Sequence, residues 1–350
     1  MHRRNFIKTV SAASAVTLLP HKLFAGDDPK NTIDSTSLIK PRRLKKGDTL
    51  GLITPASFIS EDELKESVKN LESLGFKVVY TDNVTARYGY LGGKDEVRAK
   101  DVNLMFSRKD VDGIVCTRGG YGCARMFPYL DFEMIKNNPK VIVGYSDVTS
   151  LLYAITQKTN MVTFHGPVGT STFNDFSLNY FKGTLMEPSD SLTLWNARDE
   201  NPDDISRKVF PIRGGKAKGR LVGGNLSIVV SLIGTPYDIN TDGKIVFLEE
   251  VSEEPYRVDR MLTQMIEAGK FDRAAGIALG VFEKCEPRHA DSPSLSLQEV
   301  LMDRLFDLKI PVIYGLSFGH IVNKFTMPLG VMAELDVDNQ NMKFLEQAVL

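Results

Sequence analysis

Short apolar runs alternate with stretches of helical periodicity through most of the chain. Residues 48–54 (DTLGLIT) form the first run and predict a strand closed by Pro55. Over 61–74, Leu64, Val68, Leu71 and Leu74 recur at steps of four and three, one face of a helix that Gly75 stops. Strands are predicted next over 76–80 (FKVVY), 113–117 (GIVCT) and 141–145 (VIVGY), with helices over 95–106 and 148–157. Several of these strands are apolar throughout, the pattern of a strand buried on both sides. The chain therefore reads as α/β, beginning with a parallel sheet that carries helices on both faces.

From 173 to 213 the rhythm fades into a segment rich in Asn, Asp, Ser and Pro. This predicts an N-terminal α/β domain over 45–175, an inter-domain linker over 176–213, and a smaller C-terminal α/β domain, rich in β, over 214–350. In the second domain strands are predicted over 244–249 (KIVFLE), 276–282 and 311–316, with helices over 256–268 and 297–308. Alternation from 328 to 345, with Asp338-Asn339 in the middle, predicts a terminal hairpin.

The first residues follow another pattern. Arg3-Arg4-Asn5-Phe6-Ile7-Lys8 precedes an uncharged run of small and apolar residues, 9–19, and Ala25 follows. A basic start, a modest apolar run and a small residue describe a secretory signal over 1–25, and the paired arginines give it a twin-arginine character. The alternatives are an ordinary mobile N-terminus or an uncleaved anchor. The expectation is export to the periplasm by the twin-arginine machinery, with 26–44 as a polar linker.

Composition narrows the classes. Hydrophobic residues make up 42% and charged residues 25%, with a formal net charge of -1, so no general pull toward nucleic acid or anionic lipid exists. Past the signal, no apolar run reaches the ~18 residues of a membrane span. Three cysteines, Cys116, Cys123 and Cys285, are an odd number without CxxC spacing, and read as structural thiols. No His/Cys/Asp cluster has metal-ligand spacing, so neither metal nor cofactor is expected.

Candidate chemistry gathers at strand ends. Ser146 lies between the strand VIVGY and a helix opening Asp147-Val148-Thr149, a turn that exposes a hydroxyl beside helix N-terminal amides. Val148 stands where the second glycine of G-x-S-x-G would be, and taken alone the segment better describes a serine or aspartate capping a helix. A second turn, Arg118-Gly119-Gly120-Tyr121-Gly122, follows GIVCT and can turn backbone amides toward a ligand. His165 and His320 follow apolar strands and are the candidate bases. Glu249 and Glu250 end KIVFLE, where a buried acid is costly unless something uses it.

RGGYG at 118–122, GYSDVT at 144–149, GGNL at 223–226, FLEE at 247–250 with YRVDR at 256–260, and Gly319-His320 occur together and in order. This set resembles the LD-carboxypeptidase family of serine peptidases, which includes muramoyl-tetrapeptide carboxypeptidase and the microcin C self-immunity peptidase, over nearly all of 48–335. The resemblance implies Ser146 as nucleophile, His320 as general base and then acid, and Glu249, rather than Glu250, orienting the imidazole. It implies an oxyanion hole of backbone N–H groups from Gly119 or Gly120 and from Asp147. His165 is then structural or pocket-lining.

The implied reaction is hydrolysis of an L,D-amide bond, releasing terminal D-alanine from murein tetrapeptide through an acyl-enzyme. Arg118 is the candidate for meeting the terminal carboxylate, and Tyr121 and Asn225 are further candidate substrate-binding residues. Two rivals stay open: a related amidase acting on a peptidyl- or aminoacyl-nucleotide, and a non-catalytic periplasmic binding protein. A homodimer is among the expectations, because exposed hairpins of such folds support one. The family's murein-recycling members act in the cytoplasm, so an export signal points here to periplasmic murein or its fragments.

Overall fold

A computed structural model describes residues 38–197, 207–288 and 293–350. The export segment expected over 1–25, and residues 26–37 of the linker expected after it, lie outside the described residues. The described chain falls within one compact unit built on two sheets.

In the first sheet, β1 (Thr49–Ile53) runs parallel to β2 (Lys77–Val79) and β3 (Gly113–Cys116), and β4 (Val141–Gly144) and β5 (Phe164–His165) continue it in parallel. Leu50, Ile114, Val115 and Val141 through Val143 are fully buried, so these strands show no polar alternation. Gly51 faces Met105 of α2 (Asp95–Ser107). Leu52, across the pleat, shares its surroundings with Gly169 and Ser67 of α1 (Glu61–Ser73). Helices thus cover both faces. α1 opens on a capping box in which Ser60 and Glu63 each accept the other's backbone N–H, a device worth about 1 kcal/mol.

The second sheet has a parallel centre, β8 (Lys216–Asn225), β9 (Ile245–Val251), β10 (Gly276–Glu283) and β11 (Val312–Leu316). Antiparallel strands finish it at both edges. The expected terminal hairpin is β13 (Met332–Asp336) and β14 (Asn341–Phe344), with Asp336 accepting Asn339 N–H in the turn. Helices α6 (Leu226–Leu232), α7 (Pro255–Glu267) and α8 (Leu297–Leu305) accompany this sheet.

The described residues of the stretch expected as a linker, 176–213, carry regular structure. They hold most of α5 (Asp175–Leu185), then β6 (Leu192–Trp195) on β14 and β7 (Phe210–Arg213) on β11. Just before the stretch, Asn174 caps α5 by accepting Ser177 N–H at 2.9 Å, and the polar run 198–206 lies outside the described residues. The sheets are also stitched together. After β11 the chain returns as β12 (Met327–Pro328), which pairs antiparallel with β5 and closes the first sheet, Met327 opposite His165.

Candidate active site

β3 and β4 are neighbours, so the RGGYG and Gly-Tyr-Ser-Asp turns leave adjacent strands at the same sheet edge. This is the edge where parallel α/β sheets bind ligands. Ser146 has φ 64°, a left-handed conformation that costs a non-glycine residue about 1–2 kcal/mol. Immediately after it, α4 (Val148–Thr159) begins. Strain of that kind between a strand and a helix lifts a side chain off the sheet. Gly119 lies directly against it: a Cβ there would stand 2.6 Å from Ser146 Cβ and 2.9 Å from its Oγ.

Side chains hold the two turns in register. The buried Asp147 carboxylate accepts Cys123 N–H at 2.8 Å; burial pushes its pKa up and that bond pulls it back. Arg98, buried despite its charge, donates to the carbonyls of Gly122, Gly93 and Pro55 and pairs with Asp95. It thereby ties the loops after β1 and β3 to α2. Among the described residues, no hydrogen bond occupies the backbone N–H groups of Gly119, Gly120 or Asp147. They are free to receive a developing negative charge.

The second sheet contributes buried charge. Glu249 and Glu250 are consecutive on β9 and point to opposite faces. Glu249 is fully buried, and its Oε2 accepts His320 Nδ1 at 2.7 Å. Its other oxygen faces His165 Nε2 at 3.6 Å, too long for a hydrogen bond, and neither atom has another partner. Burial pushes the Glu249 carboxyl up, but the two imidazoles outweigh it and bring its pKa to about 2. Glu250 turns elsewhere, accepting from Asn225 Nδ2 at 3.0 Å and from the backbone N–H groups of Ser227 and Val251 at 2.8 Å each. Burial raises its pKa. Of the adjacent acids, Glu249 is the one that holds an imidazole.

Tyr145 joins the two edges. Its ring lies 4.8 Å from the His320 ring and 6.0 Å from His165, and Lys324 Nζ sits 4.5 Å from its centroid. A second tie runs through α4, where Thr149 Oγ1 accepts Asn225 N–H at 3.1 Å. The residue before Ser146 therefore packs on the imidazole that Glu249 holds.

Other expected residues lie at the margins. Arg118 is partly exposed and pairs with Glu63 at 3.2 Å. Tyr121 is exposed and packs on Tyr90, ring centroids 5.7 Å apart. Asn225 is buried, capping α6 through Oδ1 and bonding Glu250 through Nδ2. His165, expected as structural or pocket-lining, is buried against Glu249. The three cysteines are free and buried, and burial raises the Cys116 and Cys285 thiols, the latter to about 12. Among the described residues, no group of three or more His, Cys, Asp or Glu could hold a metal ion. Lys324 and Tyr145 escaped the sequence reading, since neither stands where residue type alone signals chemistry.

Comparison with known proteins bears directly on this arrangement. Residues 50–166 match the model of the LD-carboxypeptidase N-terminal domain, and 218–335 match that of the C-terminal domain. The chain belongs to the LD-carboxypeptidase family. It is 37% identical over 302 residues to a probable murein peptide carboxypeptidase of Bacillus subtilis, covering 85% of this chain and 91% of that protein. Among solved structures, the wild-type apo microcin C7 self-immunity protein superposes with a TM-score of 0.81 at 27% identity, over 89% of this chain and all of that one. The muramoyltetrapeptide carboxypeptidase of Oxalobacter formigenes gives 0.72 at 29% identity, over 84% and 97%. Family membership makes this LD-carboxypeptidase chain a peptidase. It also accounts for the two-sheet architecture, in which each family domain supplies one edge of the site.

Proposed function

We propose that the chain is a serine LD-carboxypeptidase that releases terminal D-alanine from murein tetrapeptide outside the cytoplasm. The observation that carries this reading is the His320–Glu249 pair, 2.7 Å long, packed through Tyr145 beside the strained Ser146 turn. With Nδ1–H given to the carboxylate, His320 Nε2 is the basic nitrogen left to act. It takes the Ser146 proton as Oγ bonds to the scissile carbonyl carbon. The N–H groups of Gly119 or Gly120 and of Asp147 receive the oxyanion. The C–N bond then breaks, and His320 returns the proton to the departing amine. Water, activated by the same imidazole, hydrolyses the acyl ester. Buried and held ionised, Glu249 favours the imidazolium at each proton transfer.

The substrate follows the carboxypeptidase relatives, and the paired arginines near the N-terminus support twin-arginine export. The close overlap with the microcin C7 self-immunity protein gives an aminoacyl-nucleotide amide as the second reading. A fluorophosphonate probe applied to cells and followed by fractionation tests the whole proposal. Labelling is expected in the periplasmic fraction and absent in Ser146→Ala. Folded wild type that takes no label would sink the nucleophile. Incubation with murein tetrapeptide, read by mass spectrometry for D-alanine loss, decides between the substrates.

A further inference from the structure

Among the described residues, Lys140, Lys244 and Lys324 share one electrostatic condition: burial lowers the pKa of each to about 8. Two of them are anchors. Lys140 Nζ donates to the carbonyls of Met105, at 2.8 Å, and Arg108. Lys244 Nζ donates to Asn240 O at 2.8 Å. Lys324 differs. It is 7% exposed, yet its Nζ makes no hydrogen bond or ion pair among the described residues, and what it faces is the Tyr145 ring. A cation–π contact is worth about 0.5–2 kcal/mol and satisfies none of an ammonium's three donors. The side chain is buried but its Nζ is not sealed from solvent, so the ammonium has no protein anion and stands open to one from a ligand.

The surroundings show where the anion belongs. The ring under Lys324 packs on His320 and precedes Ser146 in the chain. Glu249 acts on Lys324 through its charge, but one of its oxygens is bonded to His320 and the other faces His165. In a peptide cut at its last bond, the terminal carboxylate lies one residue, about 3.8 Å between α-carbons, beyond the scissile carbonyl. A cation that receives it must stand within a side chain's reach of the nucleophile.

We propose that Lys324 binds the terminal carboxylate of the peptide substrate, the group that leaves with the released D-amino acid. This rests on the serine carboxypeptidase reading and adds to it the group that selects a free C-terminus. Arg118 is the competing cation. Burial raises the pKa of the Tyr145 phenol and the Arg118 charge pulls it back, so Arg118 is electrically near, but its guanidinium is partly exposed and engaged by Glu63.

The test compares murein tetrapeptide with its C-terminal amide. Lys324→Met, which keeps the stem and removes the charge, should reduce the acid-over-amide preference in kcat/KM about 30-fold or more, through KM. Lys324→Arg should restore part of that preference. An unchanged preference in Lys324→Met overturns the assignment, as does its loss in Arg118→Ala with Lys324→Met silent. Should Lys324→Met fail to fold, wild-type inhibition decides: D-alanine should inhibit at least tenfold better than D-alaninamide, and equal inhibition refutes the subsite. Wild type that labels at Ser146 but releases neither D-alanine from the acid nor D-alaninamide from the amide overturns the carboxypeptidase reading, and this subsite with it.

Discussion

At the edge of the first sheet the candidate groups are set by backbone: free amides in two glycine turns and a serine held at φ 64°. At the edge of the second they are side chains whose charge is buried, Glu249 on β9 with His320 after β11. The first edge obtains precision from chain geometry and needs little desolvation. The second obtains strength from low dielectric, and removing a partner there leaves an uncompensated charge. A site divided in this way should fail differently at each edge, and three experiments test that difference.

The largest effect falls on the buried acid. Glu249→Gln keeps shape but loses the charge that orients His320, and kcat for D-alanine release should drop about 10⁴-fold. Glu250→Gln, one residue on and facing the other way, should lower kcat less than about tenfold while reducing stability, because its carboxylate accepts three hydrogen bonds. Equal catalytic losses would erase the distinction between the two acids.

A smaller loss is expected at the backbone edge. Gly119→Ala forces the turn away from Ser146 and should lower kcat about 10²–10³-fold, the range for losing an oxyanion donor. Its melting temperature should stay within a few degrees of wild type. A mutant that unfolds instead would show that this turn carries stability as well as geometry.

The third effect is thermodynamic. Glu249 has its pKa lowered from 4.5 to about 2 in the folded state, so its contribution is present above pH 4.5 and lost as pH falls toward 2. The difference amounts to about 3 kcal/mol. Glu250, raised by burial, acts with the opposite sign and favours the fold as it protonates. Acid unfolding followed by circular dichroism should give a shallower acid limb for Glu249→Gln than for wild type. Superposable limbs would mean that the His320 pairing does not hold Glu249 ionised.

Much of this was legible in the chain. Strands β1, β3, β4, β9, β10 and β11 announce themselves as apolar runs because both faces are buried, and α1 and α7 by their periodicity. β8 did not. Its first half alternates Lys216, Lys218 and Arg220 with small residues, and its second half contains Gly223-Gly224, which reads as a turn. Gly223 is required by close approach, since a Cβ there would meet Phe247 O at 1.7 Å. That contact belongs to the neighbouring strand, beyond the reach of local pattern. In the site, Ser146, Glu249 and His320 were visible as polar residues closing or following apolar strands, supported by motifs in order. Lys324 was not, because Ile321-Val322-Asn323-Lys324 has the look of a solvated loop. Its burial depends on Ser177, whose Oγ accepts Lys324 N–H at 3.0 Å, and on the Tyr145 ring. Asn225 was visible as a motif residue, but its commitment to Glu250 depends on the register of β8 against β9.

The return of the chain as β12 has a consequence in time. Met327 and Pro328 complete a sheet whose other strands end at His165, and the residues just before them carry His320 and Lys324. A ribosome translating this message finishes the serine turn early and meets the imidazole near the end. On the proposed triad, the nascent polypeptide would hold its nucleophile without a base for about half of its synthesis. On that reading the peptidase becomes whole only once its last quarter has emerged and folded back, and hydrolytic capacity would arrive with completion of the molecule.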